Sequence, residues 1–83
     1  MIYTFHEIKI TYERKPTFLY CFYESNTDTE FIIRATKFSA AVDLADVVGG
    51  DLVSYLGSDI IADVTYVCEF TEDEAEESDL SIY

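Results

Sequence analysis

The run Thr17-Phe18-Leu19-Tyr20-Cys21-Phe22-Tyr23-Glu24 constrains the fold more than any other stretch of this chain. Read as a strand, it is apolar on both parities. A strand of that kind belongs inside a sheet, with cover on both faces. The chain has 83 residues, so it builds a single core. About half of it is apolar (49%), which suits a folded chain rather than a disordered one. The remaining residues must therefore supply the neighbours and the cover that Thr17–Glu24 requires.

Three further strands are expected. Met1–Tyr12 alternates, with Ile2, Ile8, Ile10 and Tyr12 on one parity beside Thr4 and His6. Tyr3, Phe5, Glu7, Lys9 and Thr11 share the other. Pro16 then breaks the run. Ser25-Asn26-Thr27-Asp28 is turn chemistry, and Thr29–Thr36 returns as a strand with Phe31, Ile33 and Ala35 facing one way. Ile60–Phe70 reads as a long strand, with Ile60, Ala62, Val64, Tyr66, Cys68 and Phe70 on one side. Asp63 and Glu69 point to solvent on the other. Between these strands, Ala41, Leu44, Ala45 and Val48 recur at helical spacing behind a Ser39 N-cap. Gly49-Gly50 is expected to end that helix. Asp51–Leu56 is then a second short helix, stopped at Gly57.

The expected fold is a single small α+β domain with an antiparallel four-stranded sheet in β-β-β-α-β order. One main helix packs on one face. That arrangement leaves the other face open and some of Tyr3, Phe5, Tyr20 and Tyr23 exposed. Residues 1–70 form the domain, and residues 71–83 form an acidic C-terminal tail. The tail opens with a capping-box pattern, Thr71 and Glu74. Left alone it is expected to fray, because it is short and its carboxylates repel one another.

Most chemistry is excluded. No apolar run reaches about 18 residues, so no membrane span is expected. Met1–Glu7 lacks the basic and apolar regions of a signal peptide, which points to the cytoplasm. Cys21 and Cys68 read as buried thiols; a disulfide between them stays open, since sequence does not place their Cα atoms. One His and no CxxC leave zinc without ligands. His6 alone on a strand face is a packing residue. Gly49-Gly50 follows a helix rather than preceding one, so it is no phosphate loop. The acidic segment lacks the spacing of a calcium loop. Neither an enzyme, a cofactor nor a metal is expected.

Charge remains. Five basic and 17 acidic residues give −12. Residues 1–50 hold five basic against seven acidic groups, and residues 51–83 hold none against ten. Such a chain does not bind nucleic acid or anionic lipid directly, because those contacts need Lys and Arg. From Glu69 to Asp79, seven carboxylates fall in eleven residues. If helical, that is one charge per about 2 Å of axis; duplex DNA carries one per about 1.7 Å. The candidate partner-binding residues are Asp59, Asp63, Glu69, Glu72, Asp73, Glu74, Glu76, Glu77 and Asp79. Tyr3, Tyr20, Tyr23, Tyr66 and Tyr83 are candidate aromatic anchors, with Tyr3 and Tyr23 put first.

In length, charge and α+β make-up the chain is similar to the small acidic proteins with which phages and mobile elements block nucleic-acid enzymes. These include glycosylase inhibitors, anti-restriction proteins and anti-CRISPR proteins. No motif aligns, so no residue role is carried over. The expected function is a non-enzymatic inhibitor that occupies the nucleic-acid-binding surface of a basic host enzyme or defence complex. The alternative is a small cytoplasmic adaptor or subunit whose acidic tail keeps it soluble. A homodimer through an open strand edge is a further option.

Overall fold

A computed structural model of the chain describes residues 16–83. The strand expected over Met1–Tyr12, with Tyr3 and His6, lies outside the described residues. Within them the chain is an α+β domain whose sheet has three antiparallel strands, not four. β1 (Phe18–Glu24) lies in the middle, with β2 (Thr29–Ala35) on one side and β3 (Val64–Phe70) on the other. The doubly apolar run is thus the central strand, as its pattern requires. Ser25–Asp28 forms the β1–β2 turn, with Asp28 in the left-handed region at φ 52°.

Helix α1 (Phe38–Val53) covers one face. Its buried Ala41, Ala45 and Val48 meet Tyr20 and Phe22 of β1 and Phe31 and Ile33 of β2. Leu44, expected in the stripe, is exposed, and Asp43 and Asp46 face solvent as expected. The helix starts two residues earlier than its pattern suggested. Lys37 is the N-cap residue and makes no side-chain cap bond, so Ser39 is not the cap.

Gly49-Gly50 does not end the helix either. α1 runs on to Val53 and tightens into a 3-10 turn at Ser54–Leu56 before Gly57, whose φ of 132° stops it. The two expected helices are therefore one. Gly49 is present for packing: it is buried where α1 crosses β3, and a Cβ there would run into the Val64 side chain and touch Ala62.

β3 is shorter than the expected Ile60–Phe70, since residues 57–63 form a loop. It also contains a bulge. Phe22 pairs with Tyr66 and Cys21 with Cys68, which leaves Val67 as the extra residue. The bulge reverses the alternation. Val64 packs with the α1 core, whereas Cys68 and Phe70 pack on the opposite face. Six residues of one parity in sequence therefore do not share one face.

The opposite face is not left open. There Leu19, Cys21 and Ile32 form a second small core, closed by Ala75 of helix α2 (Glu72–Ser78) with Leu80 beside it. Residues 71–83, set apart in sequence as an acidic tail, thus carry a helix and then rejoin the sheet. Ile82 bridges Ile32 in parallel, and backbone bonds Ile32 N–Ser81 O, Tyr83 N–Ile32 O and Arg34 N–Tyr83 O line the outer edge of β2. Among the described residues no helix is long and apolar enough to cross a membrane.

Candidate functional site

The acidic surface is built on α2. Thr71 starts it with a complete capping box. The Thr71 hydroxyl accepts from Glu74 N at 3.2 Å, and the Glu74 carboxylate accepts from Thr71 N at 3.0 Å. Glu72, Asp73 and Glu74 in the first turn also suit the positive end of the helix dipole. The helix ends at Asp79, which adopts the left-handed conformation at φ 58°. Seven residues are too few to hold a helix in water. Docking of Ala75 and the return of the chain to β2 supply what the helix lacks.

Counting round the helix from buried Ala75, Asp73 and Glu77 lie on the side away from the sheet. Glu76 and Glu74 flank them. Five carboxylates occupy this helix, which is roughly 10 Å long, so the charge repeat is one per about 2 Å. Not all of that charge is free. Arg34 grips Glu72 with two bonds of 2.6 and 3.1 Å, and this contact lowers the carboxyl pKa and raises that of the guanidinium. The Glu74 carboxylate serves the cap. Asp73, Glu76 and Glu77 make no side-chain bond to other described residues and face solvent.

The other candidates do not join this group. Asp63 sits at the hairpin end of β3, beside the Val64–Glu24 pair, and Glu69 sits at the other end, opposite Tyr20. Six residue steps along the chain separate them, roughly 20 Å. Asp63 is also held internally, since Ser25 donates its hydroxyl hydrogen to the carboxylate at 2.8 Å. Asp59 is exposed in the loop just before Asp63. Tyr23 is half-buried and donates to Asp28 at 2.8 Å, a bond that raises its pKa. It is committed to the β1–β2 turn and presents no free anchor. Tyr3 lies outside the described residues.

Tyr66, another of the candidates, holds the anchor position together with Phe38. Phe38 at the start of α1 meets Tyr66 of β3 edge-on at 4.9 Å, and both rings are nearly half exposed (45% and 46%). Tyr20 lies beneath them, 5.6 Å from Phe38. Phe18, 6.3 Å from Tyr20, extends the exposed apolar area. This patch flanks the outer edge of β3, which pairs with no other strand among the described residues. Burial pushes the Tyr66 hydroxyl pKa up, and nearby Glu69 adds to the rise. Tyr66 was visible in sequence as one tyrosine among seven. Its prominence comes from its place beside Phe38 over Tyr20.

One described carboxylate is not exposed to solvent, unlike the rest. Glu24 is fully buried (0% exposed) at the end of β1. Burial alone would push its pKa up. Four donors outweigh it: Asp63 N at 2.8 Å, Asn26 Nδ2 at 2.9 Å, Thr27 N at 2.7 Å and the Thr27 hydroxyl at 2.9 Å. The result is a pKa of about 2. Asn26 Nδ2 also donates to Ile61 O, and Ser25 N to Asp63 O. Glu24 thereby pins the 57–63 loop to the β1–β2 turn. A carboxylate that accepts so many bonds is held ionised and fixed, which suits a clip and not a proton carrier. The sequence did carry a trace of it: Glu24 shares parity with Tyr20 and Phe22, and donors follow at Asn26 and Thr27.

Among the described residues no group of three or more His, Cys, Asp or Glu side chains could hold a metal ion. Compared with protein-family models, curated proteins and solved structures, the chain matches none.

Proposed function

We propose that this chain is a non-enzymatic acidic protein that occupies the nucleic-acid-binding surface of a basic protein or complex in the cytoplasm. The observation that carries the reading is α2, where Asp73, Glu76 and Glu77 make no side-chain bond to other described residues and give one free charge per about 3.5 Å of helix, close to the roughly 3.4 Å spacing of a single nucleic-acid strand. Residues 16–83 hold two basic side chains against fifteen acidic ones, and Arg34 is engaged by Glu72. The surface therefore offers charge to Lys and Arg that otherwise hold phosphates. It steers association at long range and makes it salt-sensitive. The mechanism is competition, with no bond made or broken. A phage or mobile-element protein that disarms a restriction or CRISPR complex is the kind of protein this describes.

The test is displacement of a labelled DNA duplex from restriction or CRISPR effector complexes at rising salt. Displacement is expected to weaken steeply with salt. The triple variant D73N/E76Q/E77Q is expected to lose at least about tenfold in potency, since each lost charge pair reduces a shared, additive attraction. Equal potency of the neutralised chain would sink the proposal.

A second reading, an adaptor or subunit of a larger assembly, is favoured by the Phe38–Tyr66 patch beside the outer edge of β3, which pairs with no strand among the described residues. On that reading F38S/Y66S abolishes assembly, the acidic triple variant leaves it intact, and salt has little effect.

A further inference from the structure

We propose that Cys21 and Cys68 form a thiol pair that closes into an intramolecular cross-strand disulfide on reaction with a small-molecule disulfide of the glutathione type. The pairing register carries the proposal. Cys21 of central β1 stands directly opposite Cys68 of β3 in an antiparallel ladder. Residues so paired have Cα atoms about 4.5–5.5 Å apart, whichever kind of pair they form. Disulfides need about 4.4–6.8 Å. Both side chains lie on the same face, in the small core closed by Ala75. The backbone therefore already holds the geometry a bridge requires, and both thiols are free.

Access assigns the order of events. Cys21 is fully buried, whereas Cys68 is partly exposed at the edge strand. The Cys68 thiolate attacks one sulfur of glutathione disulfide, forming a mixed disulfide and releasing one glutathione thiolate, which takes up a proton. Cys21 then attacks the Cys68 sulfur and displaces the second glutathione. The Cys21 thiol faces Glu30 Oε2 at 3.6 Å, and that carboxylate takes its proton and passes it to water. Two protein thiols are oxidised, and one glutathione disulfide is reduced to two thiols. Burial first, and the Glu30 charge second, push the Cys21 pKa up to about 12. Cys21 is therefore inert toward a free oxidant and reacts only with the sulfur already placed against it. In a reducing cytoplasm the pair rests as two thiols and closes under oxidising conditions.

The full chain is incubated with glutathione disulfide at neutral pH without denaturant, then mapped by peptide mass spectrometry. The chain is expected to become two hydrogens lighter, with the Cys21 and Cys68 peptides linked and the bridge reversed by dithiothreitol. Its thermal midpoint is expected to rise, because the bridge restricts the unfolded chain. Cys68→Ser is expected to stay at its starting mass. A glutathione adduct that persists on Cys68 overturns the proposal. So do dimers joined through Cys68, or a reaction that needs denaturant.

Discussion

Over one face of the sheet lies a helix of sixteen residues, and over the other a helix of seven. α1 buries small side chains, Ala41, Ala45 and Val48, against a layer of aromatics. It carries three carboxylates on sixteen residues and could lose all of them without losing its contacts. α2 buries only Ala75, and five of its seven residues are acidic. Its charge and its structural role cannot be separated by cutting the chain, because the segment that displays the carboxylates also closes the second core. A short, strongly acidic C-terminal segment is easily read as an appendage. Here it is a cover whose outer side is charged.

Removing residues 71–83 tests that contrast most severely. Truncation after Phe70 uncovers Leu19, Cys21 and Ile32 and strips the outer edge of β2. Re-exposing two large aliphatic side chains costs about 3–6 kcal/mol, most of the stability a domain this size has. The truncated chain is expected to be largely unfolded by circular dichroism at 25 °C. A truncated chain with an unchanged denaturation midpoint would show that α2 is an appendage after all. Loss of inhibition on truncation says nothing by itself about charge.

Glu24 is the counterpart of α2, a carboxylate spent wholly inside. Glu24→Ala strands the backbone donors of Thr27 and Asp63 and frees the 57–63 loop. Hydrogen bonds to a charged group are worth about 1.5–3 kcal/mol each and do not simply add, so a loss of about 3 kcal/mol is expected. Urea denaturation measures it. The pH dependence has a definite sign. The folded pKa lies near 2 and the usual value is 4.5, so the stabilisation is complete above about pH 4.5 and fades as pH falls toward 2. Glu24→Ala is expected to flatten that acid limb. If the limb keeps its slope, Glu24 is not the clip.

How much of this was legible beforehand follows from what a sequence pattern can encode. Apolar residues on both parities of Thr17–Glu24 left one physical option, and the strand is central. The capping box at Thr71 and Glu74 is a local exchange of bonds between neighbours, and it formed as written. Gly49 is ambiguous in sequence because glycine serves both as a helix stop and as a point of close approach, and only the position of Val64 decides between them. The parity of Ile60–Phe70 failed at Val67, since a bulge is set by the partner strand and leaves no mark of its own. The acidic surface was legible as charge, but not as geometry. Asp63 lies in the loop just before β3 and Glu69 near the far end of that strand, and Arg34 and the cap engage Glu72 and Glu74.

The smallest expected effect separates the two roles of α2. Asp73, Glu76 and Glu77 touch neither core, so D73N/E76Q/E77Q leaves the buried side of the helix intact. Two terms then oppose each other. Asp73 and Glu77, four residues apart, repel, and relieving them gains about 0.2–0.5 kcal/mol. Asp73 also sits in the first turn, where its charge is favoured by about 0.3–1 kcal/mol, and Asn forfeits that. The sum is near zero, so the urea midpoint is expected to shift by less than about 0.5 kcal/mol equivalent. Glu77→Gln alone, near the negative end of the helix, is expected to stabilise slightly. Because this triple variant folds like the parent, a fall in its binding reports the outer charge alone. If it unfolds instead, charge and cover are coupled in α2 more tightly than the contacts of Ala75 imply, and the contrast between the two helices becomes one of degree.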